Sequence, residues 1–179
     1  MSIESRQWID QLTSPDVPSW AKEPSIGNRM INARAETIAE KPAFRHAFKT
    51  QRCLIIADGF FEWKKEGNRK LPMYICLSSG KVFAFAGLFN IWASPVGVTM
   101  CTCTIVTTEA NELVKPFHDR MPVILPKSEE DLWLDPAVQD REDLLPLLKP
   151  YDADEMETWA VKAKMNRPEY NSPENIKPV

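Results

Sequence analysis

The chain has 179 residues, 44% hydrophobic and 26% charged, which suits one globular domain with its own core and argues against a disordered tail or a fibre. No apolar run approaches the ~18 residues of a membrane-spanning helix, and the opening Met1-Ser2-Ile3-Glu4-Ser5-Arg6 lacks the basic-then-apolar order of a secretory signal, so a cytoplasmic location with no membrane partner is expected. The formal net charge of −3 is unevenly spread: Val17 to Lys81 holds 12 Lys/Arg against 6 Asp/Glu, whereas Ser128 to Glu157 holds 2 against 11, predicting a basic face and an acidic end.

In chain order, residues 1–16 carry Trp8, Ile9 and Leu12 at helical spacing and stop at Ser14-Pro15-Asp16, which reads as a short helix or a loosely attached leader. Val17 to Met30 has Pro18, Pro24 and Gly27-Asn28, a loop that also bears Trp20 and Ile26. Ala35 to Phe48 forms helix but is interrupted by Pro42, so two short helices are predicted with Pro42 in the first turn of the second. The period then changes. Cys53 to Ala57, Phe60 to Lys65, Pro72 to Leu77, Val82 to Phe89 and Met100 to Thr107 are apolar or alternating runs rich in β-branched and aromatic residues. Turn clusters such as Glu66-Gly67-Asn68 and Ser78-Ser79-Gly80 separate them, which favours hairpins over crossovers.

Glu109 to Lys115 reads as a helical turn or two, and Pro122 to Leu125 as a short buried strand. Ser128 can cap a helix whose first turn holds Glu129, Glu130 and Asp131, and Arg141 to Leu148 is a further short helix. Glu157 to Val161 returns as a strand, and the tail with Pro168, Pro173 and Pro178 is expected to run extended. The sum is an α+β fold, mainly β: an antiparallel sheet curled into a barrel with short peripheral helices.

Cys53, Cys76, Cys101 and Cys103 lie inside or beside apolar runs, as reduced core residues do, and Cys101-Thr102-Cys103 has no histidine near it, so neither a metal nor a cofactor is expected. An imidazole acid or base must be His46 or His118. His46 sits in a basic helix and reads as a surface residue. His118 opens His118-Asp119-Arg120-Met121-Pro122 between a helical turn and a buried strand, a scaffold edge from which catalytic side chains project, although a loop histidine paired with a neighbouring acid would look the same. In Asp58-Gly59-Phe60-Phe61-Glu62-Trp63, strand alternation puts Phe60 and Glu62 on one face and Phe61 and Trp63 on the other. Glu62 then points either to solvent or into a pocket where burial raises its pKa toward the range of a general acid. Asn32 and Arg34 lie on one side of an extended Ile31-Asn32-Ala33-Arg34-Ala35-Glu36-Thr37 and could orient a polar substrate and clamp a phosphate, while Asn at a helix start is also an ordinary cap.

Taken together, Pro18-Ser19-Trp20-Ala21-Lys22, Ile31 to Thr37, Ala57 to Trp63 and His118 to Pro122 closely resemble, in this order, the SRAP family of SOS-response-associated peptidases or abasic-site-processing proteins. The resemblance runs from about Val17 to Val179, leaving 1–16 as a leader outside it. It implies a barrel-like fold with a basic groove for single-stranded DNA and a pocket for an abasic site. It also implies a covalent thiazolidine, formed when an N-terminal cysteine's α-amine and thiol react with the ring-opened sugar aldehyde. Matched by motif, Asn32, Glu62 and His118 are the catalytic positions, and Trp20, Arg34 and Thr107 contact DNA. The family's opening Met-Cys-Gly-Arg-Phe has no counterpart in Met1-Ser2, so binding of single-stranded or abasic DNA is expected without the covalent step. The alternatives are a cysteine- or serine-type hydrolase, as the peptidase name suggests, and an inactive incomplete paralogue.

Overall fold

A computed structural model describes residues 30–93, 97, 99–167 and 169–179. Residues 1–16, expected as a short helix or a loosely attached leader, and the loop before Met30 with Trp20 lie outside these residues. Among the described residues there are nine strands: β1 (Asn32–Arg34), β2 (Arg52–Ala57), β3 (Phe60–Glu66), β4 (Arg69–Leu77), β5 (Phe83–Ala93), β6 (Thr99–Glu109), β7 (Arg120–Pro122), β8 (Ile124–Leu125) and β9 (Met156–Ala160). The helices are short: α1 (Arg45–Thr50), α2 (Glu130–Leu134) and α3 (Arg141–Leu144).

One sheet runs β1-β6-β5-β2, with β7 paired to β6 and β8 to β5; the other runs β3-β4-β9. Val123 sits between the two short strands and explains the curl. Its N–H donates to the Val106 carbonyl on β6, while its own carbonyl accepts from Ala86 on β5, both at 2.9 Å. The segment from Arg120 to Leu125 thus bridges β5 and β6 and closes the sheet into a half-barrel. Ile75 and Leu77 of β4 meet Phe83 and Phe85 of β5 in one apolar cluster between the sheets. A second cluster sets Phe48 and Trp133 of the flanking helices against Leu88 and Val106. Each such side chain contributes roughly 1.5–3 kcal/mol by leaving water.

Several local expectations change. The β1–β6 pair is parallel, an exception in an otherwise antiparallel scaffold. Pro42 falls before α1, in a turn closed by the Phe44 N–H on the Lys41 carbonyl at 2.9 Å. Ser128 does not cap α2: the Glu129 N–H closes a turn onto Pro126, and Glu129 itself becomes the helix-start residue without a side-chain cap. The tail does not run simply extended but folds through two 3-10 turns, Ala163–Asn166 and Pro173–Ile176. It is held by Trp159 Nε1 donating to the Ile176 carbonyl at 2.8 Å and by Trp63 Nε1 donating to Asn166 Oδ1 at 2.9 Å.

Candidate functional site

The start of β3 is set by a glycine. A Cβ on Gly59 would stand 2.3 Å from Tyr74 Cζ, so only hydrogen there lets the phenol lie across the backbone. The Tyr74 hydroxyl hydrogen-bonds the Asp58 carboxylate, and burial together with that acid pushes the phenol up to about 12. Alternation from this anchor sets Phe61 against the buried Tyr74 on one face, at 5.3 Å between ring centroids, and Phe60 against Phe85 on the other at 6.0 Å. Glu62 shares the side of Phe60 and is half-buried. Of the two orientations open in the sequence, the structure shows the pocket.

Burial pushes the Glu62 carboxyl above the usual carboxylate range, partly offset by the nearby His118 imidazole and by the Trp63 backbone N–H. His118 follows a turn in which its N–H donates to the Val114 carbonyl at 3.1 Å. Both side chains line one cavity of about 450 Å³, together with Trp63, Phe117, Asp119 and three lysines, Lys65, Lys70 and Lys115. His118 Nδ1 accepts the Arg120 backbone N–H at 2.9 Å. The same nitrogen stands 3.2 Å from the Arg120 carbonyl and 3.1 Å from Asp119 Oδ1, so which ring nitrogen carries the proton turns on which of these partners prevails.

A second group forms on β1 and β6. Asn32 and Arg34 are exposed on either side of buried Ala33, and the parallel register sets Arg34 opposite Thr107. Thr107 is buried; its hydroxyl donates to the Ala33 carbonyl at 3.4 Å and accepts from Arg120 Nη2 at 3.3 Å. Arg120 also donates to the Thr107 carbonyl at 2.6 Å and makes a two-pronged ion pair with Glu36 at 2.5 and 3.0 Å. The Arg120 guanidinium holds the Glu36 carboxyl below the usual carboxylate range. Arg120 Nε is buried with no hydrogen-bond partner among the described residues.

Glu62 and His118 are therefore together, Asn32 and Arg34 share the edge strand, and Arg120 ties that strand to the His118 loop. The residues that sequence reasoning left without a role are Glu36, Arg120 and the lysine rim. Glu36 lies two residues after Arg34, and Arg120 two after His118, within motifs already conspicuous; nothing in their 84-residue separation pairs them. His46 is exposed on α1, as its sequence context implied. Among the thiols, Cys76 is buried 3.8 Å from Glu157, and burial with that carboxylate pushes it up to about 11, the reverse of an activated nucleophile.

The SRAP family profile, described as SOS response associated peptidase, matches residues 5–168. The chain is 52% identical over 161 residues to abasic site processing protein YoqW of Bacillus subtilis, covering 89% of this chain and 72% of that one. It is 30% identical over 181 residues to abasic site processing protein HMCES of Xenopus tropicalis, covering 88% of this chain and 53% of that protein. A crystal structure of a Bacteroides thetaiotaomicron protein superposes with a TM-score of 0.85 at 31% identity, covering 92% of this chain and 74% of the other. With the fold and a family match over most of its length in agreement, the chain belongs to the SRAP family.

Proposed function

We propose that this protein recognises single-stranded DNA carrying an abasic site and that the cavity between Glu62 and His118 receives the opened sugar. The observation that carries the reading is the meeting of a half-buried carboxyl and an imidazole in one cavity rimmed by three lysines. An abasic sugar in its open form is an aldehyde, and additions to an aldehyde need a proton delivered to the carbonyl oxygen and removed from the attacking group. A carboxyl raised by burial and an imidazole beside it are suited to those two tasks. Lysines at the rim, with Arg34 on the neighbouring strand, offer charge to the phosphates on either side. Asn32 would orient the sugar and Trp20 would stack beside the lesion, while Thr107, buried with its hydroxyl taken up by Ala33 and Arg120, would support Arg34 from within the sheet rather than contact DNA itself. The names of the relatives, abasic site processing proteins, support the same substrate class.

The proposal concerns recognition and capture of the abasic strand, in the cytoplasm and on DNA. The test compares one single strand with and without an abasic site, at low and high salt. The abasic strand is expected to bind about tenfold more tightly, with both affinities falling steeply as salt rises. Glu62→Gln and His118→Ala should remove the abasic preference while leaving intact-strand binding in place. Equal affinity for the two strands in the unmodified protein would overturn the reading.

A further inference from the structure

We propose that Glu36 is a positioning residue for His118: its ion pair with Arg120 fixes the backbone N–H that decides which imidazole nitrogen carries the proton. The inference deepens the function proposed above, and its catalytic meaning rests on that reading, but its geometry does not.

His118 Nδ1 lies among competing groups. The Arg120 backbone N–H is 2.9 Å away and can only donate. The Arg120 carbonyl at 3.2 Å and Asp119 Oδ1 at 3.1 Å can only accept. A neutral ring cannot satisfy both kinds at one nitrogen. While the N–H holds its place, Nδ1 is an acceptor and the proton sits on Nε2, free for the cavity. If the N–H moves off, Asp119 and the carbonyl draw the proton to Nδ1, and the ring loses its donor on the other side.

What keeps the N–H in place is not the strand alone. Arg120 is the first residue of β7, paired with Glu109 at the end of the ladder where strands fray. The same peptide is held through its Asp119 carbonyl, which accepts from the Ala110 N–H at 3.0 Å, and the Arg120 side chain adds a second anchor: Nη1 and Nη2 grip both oxygens of Glu36, and Nη2 also reaches the Thr107 carbonyl in mid-sheet. Glu36 stands on the 3-10 turn Ala35–Thr37 directly after β1, so the clamp also joins the strand bearing Asn32 and Arg34 to the His118 loop. Asp119 is the weaker rival because its side chain is 88% exposed and water competes for it.

The two histidines make the test direct, since exposed His46 serves as an internal reference for 15N spectra of the imidazoles. At about pH 8.5, two units above the ordinary histidine midpoint, neutral His118 in the unmodified protein is expected mainly as the Nε2–H form. In Glu36→Gln the Nδ1–H fraction should rise roughly fivefold, the bias that one net hydrogen bond supplies, with His46 unchanged and the backbone amide spectrum retained. Arg120→Lys should act in the same direction. Should Glu36→Gln fail to fold, Glu36→Asp gives the graded version, and an intermediate ratio supports the assignment. An Nδ1–H ring in the unmodified protein, or an unchanged ratio in a folded variant, overturns it. No DNA enters the measurement, so a failure here and a failure of DNA recognition are separately visible.

Discussion

Two arginines knot this fold, and they do so with different chemistry. Arg52 is buried and donates to five backbone carbonyls: Trp133, Phe48, Lys49, Asp135 and Val138. Burial lowers its pKa, the Asp135 charge partly offsets this, and the guanidinium also lies 5.6 Å from the Trp133 ring centroid. Arg120 is partly exposed and has a carboxylate as its main partner. A cation surrounded by carbonyls has nothing to exchange and serves to fasten α1 and α2 to β2. A cation held by a carboxylate stays responsive to pH and to rival anions, and it lies beside the candidate site. The sharpest way to break the contrast is Arg52→Met, which strands several buried carbonyls. About 3 kcal/mol of stability should be lost, lowering Tm by roughly 10 °C in a thermal melt. The ratio of abasic to intact strand affinity should be unchanged in the protein that remains folded.

Next in size is Gly59→Ala, which asks whether the site side also depends on rigid packing. The added methyl would overlap the Tyr74 ring, and the ring is locked between Phe61 and Trp159, each at 5.3 Å between centroids. A loss of about 2 kcal/mol is expected from such overpacking, read as a denaturant midpoint shift at constant slope. Arg34→Ala separates binding from architecture. The side chain is exposed, so stability should move by less than about 0.5 kcal/mol, while affinity for single-stranded DNA should fall about tenfold and the salt slope by about one charge. A stability loss comparable to that of Arg52→Met would place Arg34 with the structural arginine instead.

How much of this was legible in the sequence follows from what is local. Strands β2 to β6 were readable because alternation and turn residues act within a few positions; the Glu66–Arg69 hairpin, with Gly67 at φ 60°, is one case. The motifs marked Asn32, Arg34, Glu62 and His118 as candidates, but alternation says only which residues share a face, not which face another element covers. Glu62 is turned inward because the His118 loop, distant in sequence, packs over that side. The parallel β1–β6 pairing, the use of the Thr107 hydroxyl within the sheet and the Glu36–Arg120 pair are likewise products of tertiary contact, with no periodic signal to announce them. Ser128 shows the reverse failure: its local capping signal was clear, and a backbone turn at Pro126 took its place.

The smallest predicted effect carries the comparison down to two carboxyls, Glu36 and Glu62, whose shifts have opposite sign. Glu62 is raised by burial, so the folded state binds its proton more tightly than the unfolded chain does. Its ionisation therefore costs stability as pH rises from the ordinary carboxylate value through the raised one, and below that window the cost disappears. Glu62→Gln removes the ionisation and should raise Tm slightly at about pH 7.5, with the gain gone at about pH 3.5, where both side chains are neutral. Glu36 is lowered by Arg120, so its stabilisation is present above the ordinary value and lost as pH falls through the lowered one. Glu36→Gln should therefore lower Tm at about pH 7.5 and converge on the unmodified protein in acid. Two melting series against pH, run side by side, should approach the unmodified protein in acid from opposite sides. Parallel series would mean that the two carboxyls share one environment, and that the clamp at Arg120 and the cavity at His118 are not distinct.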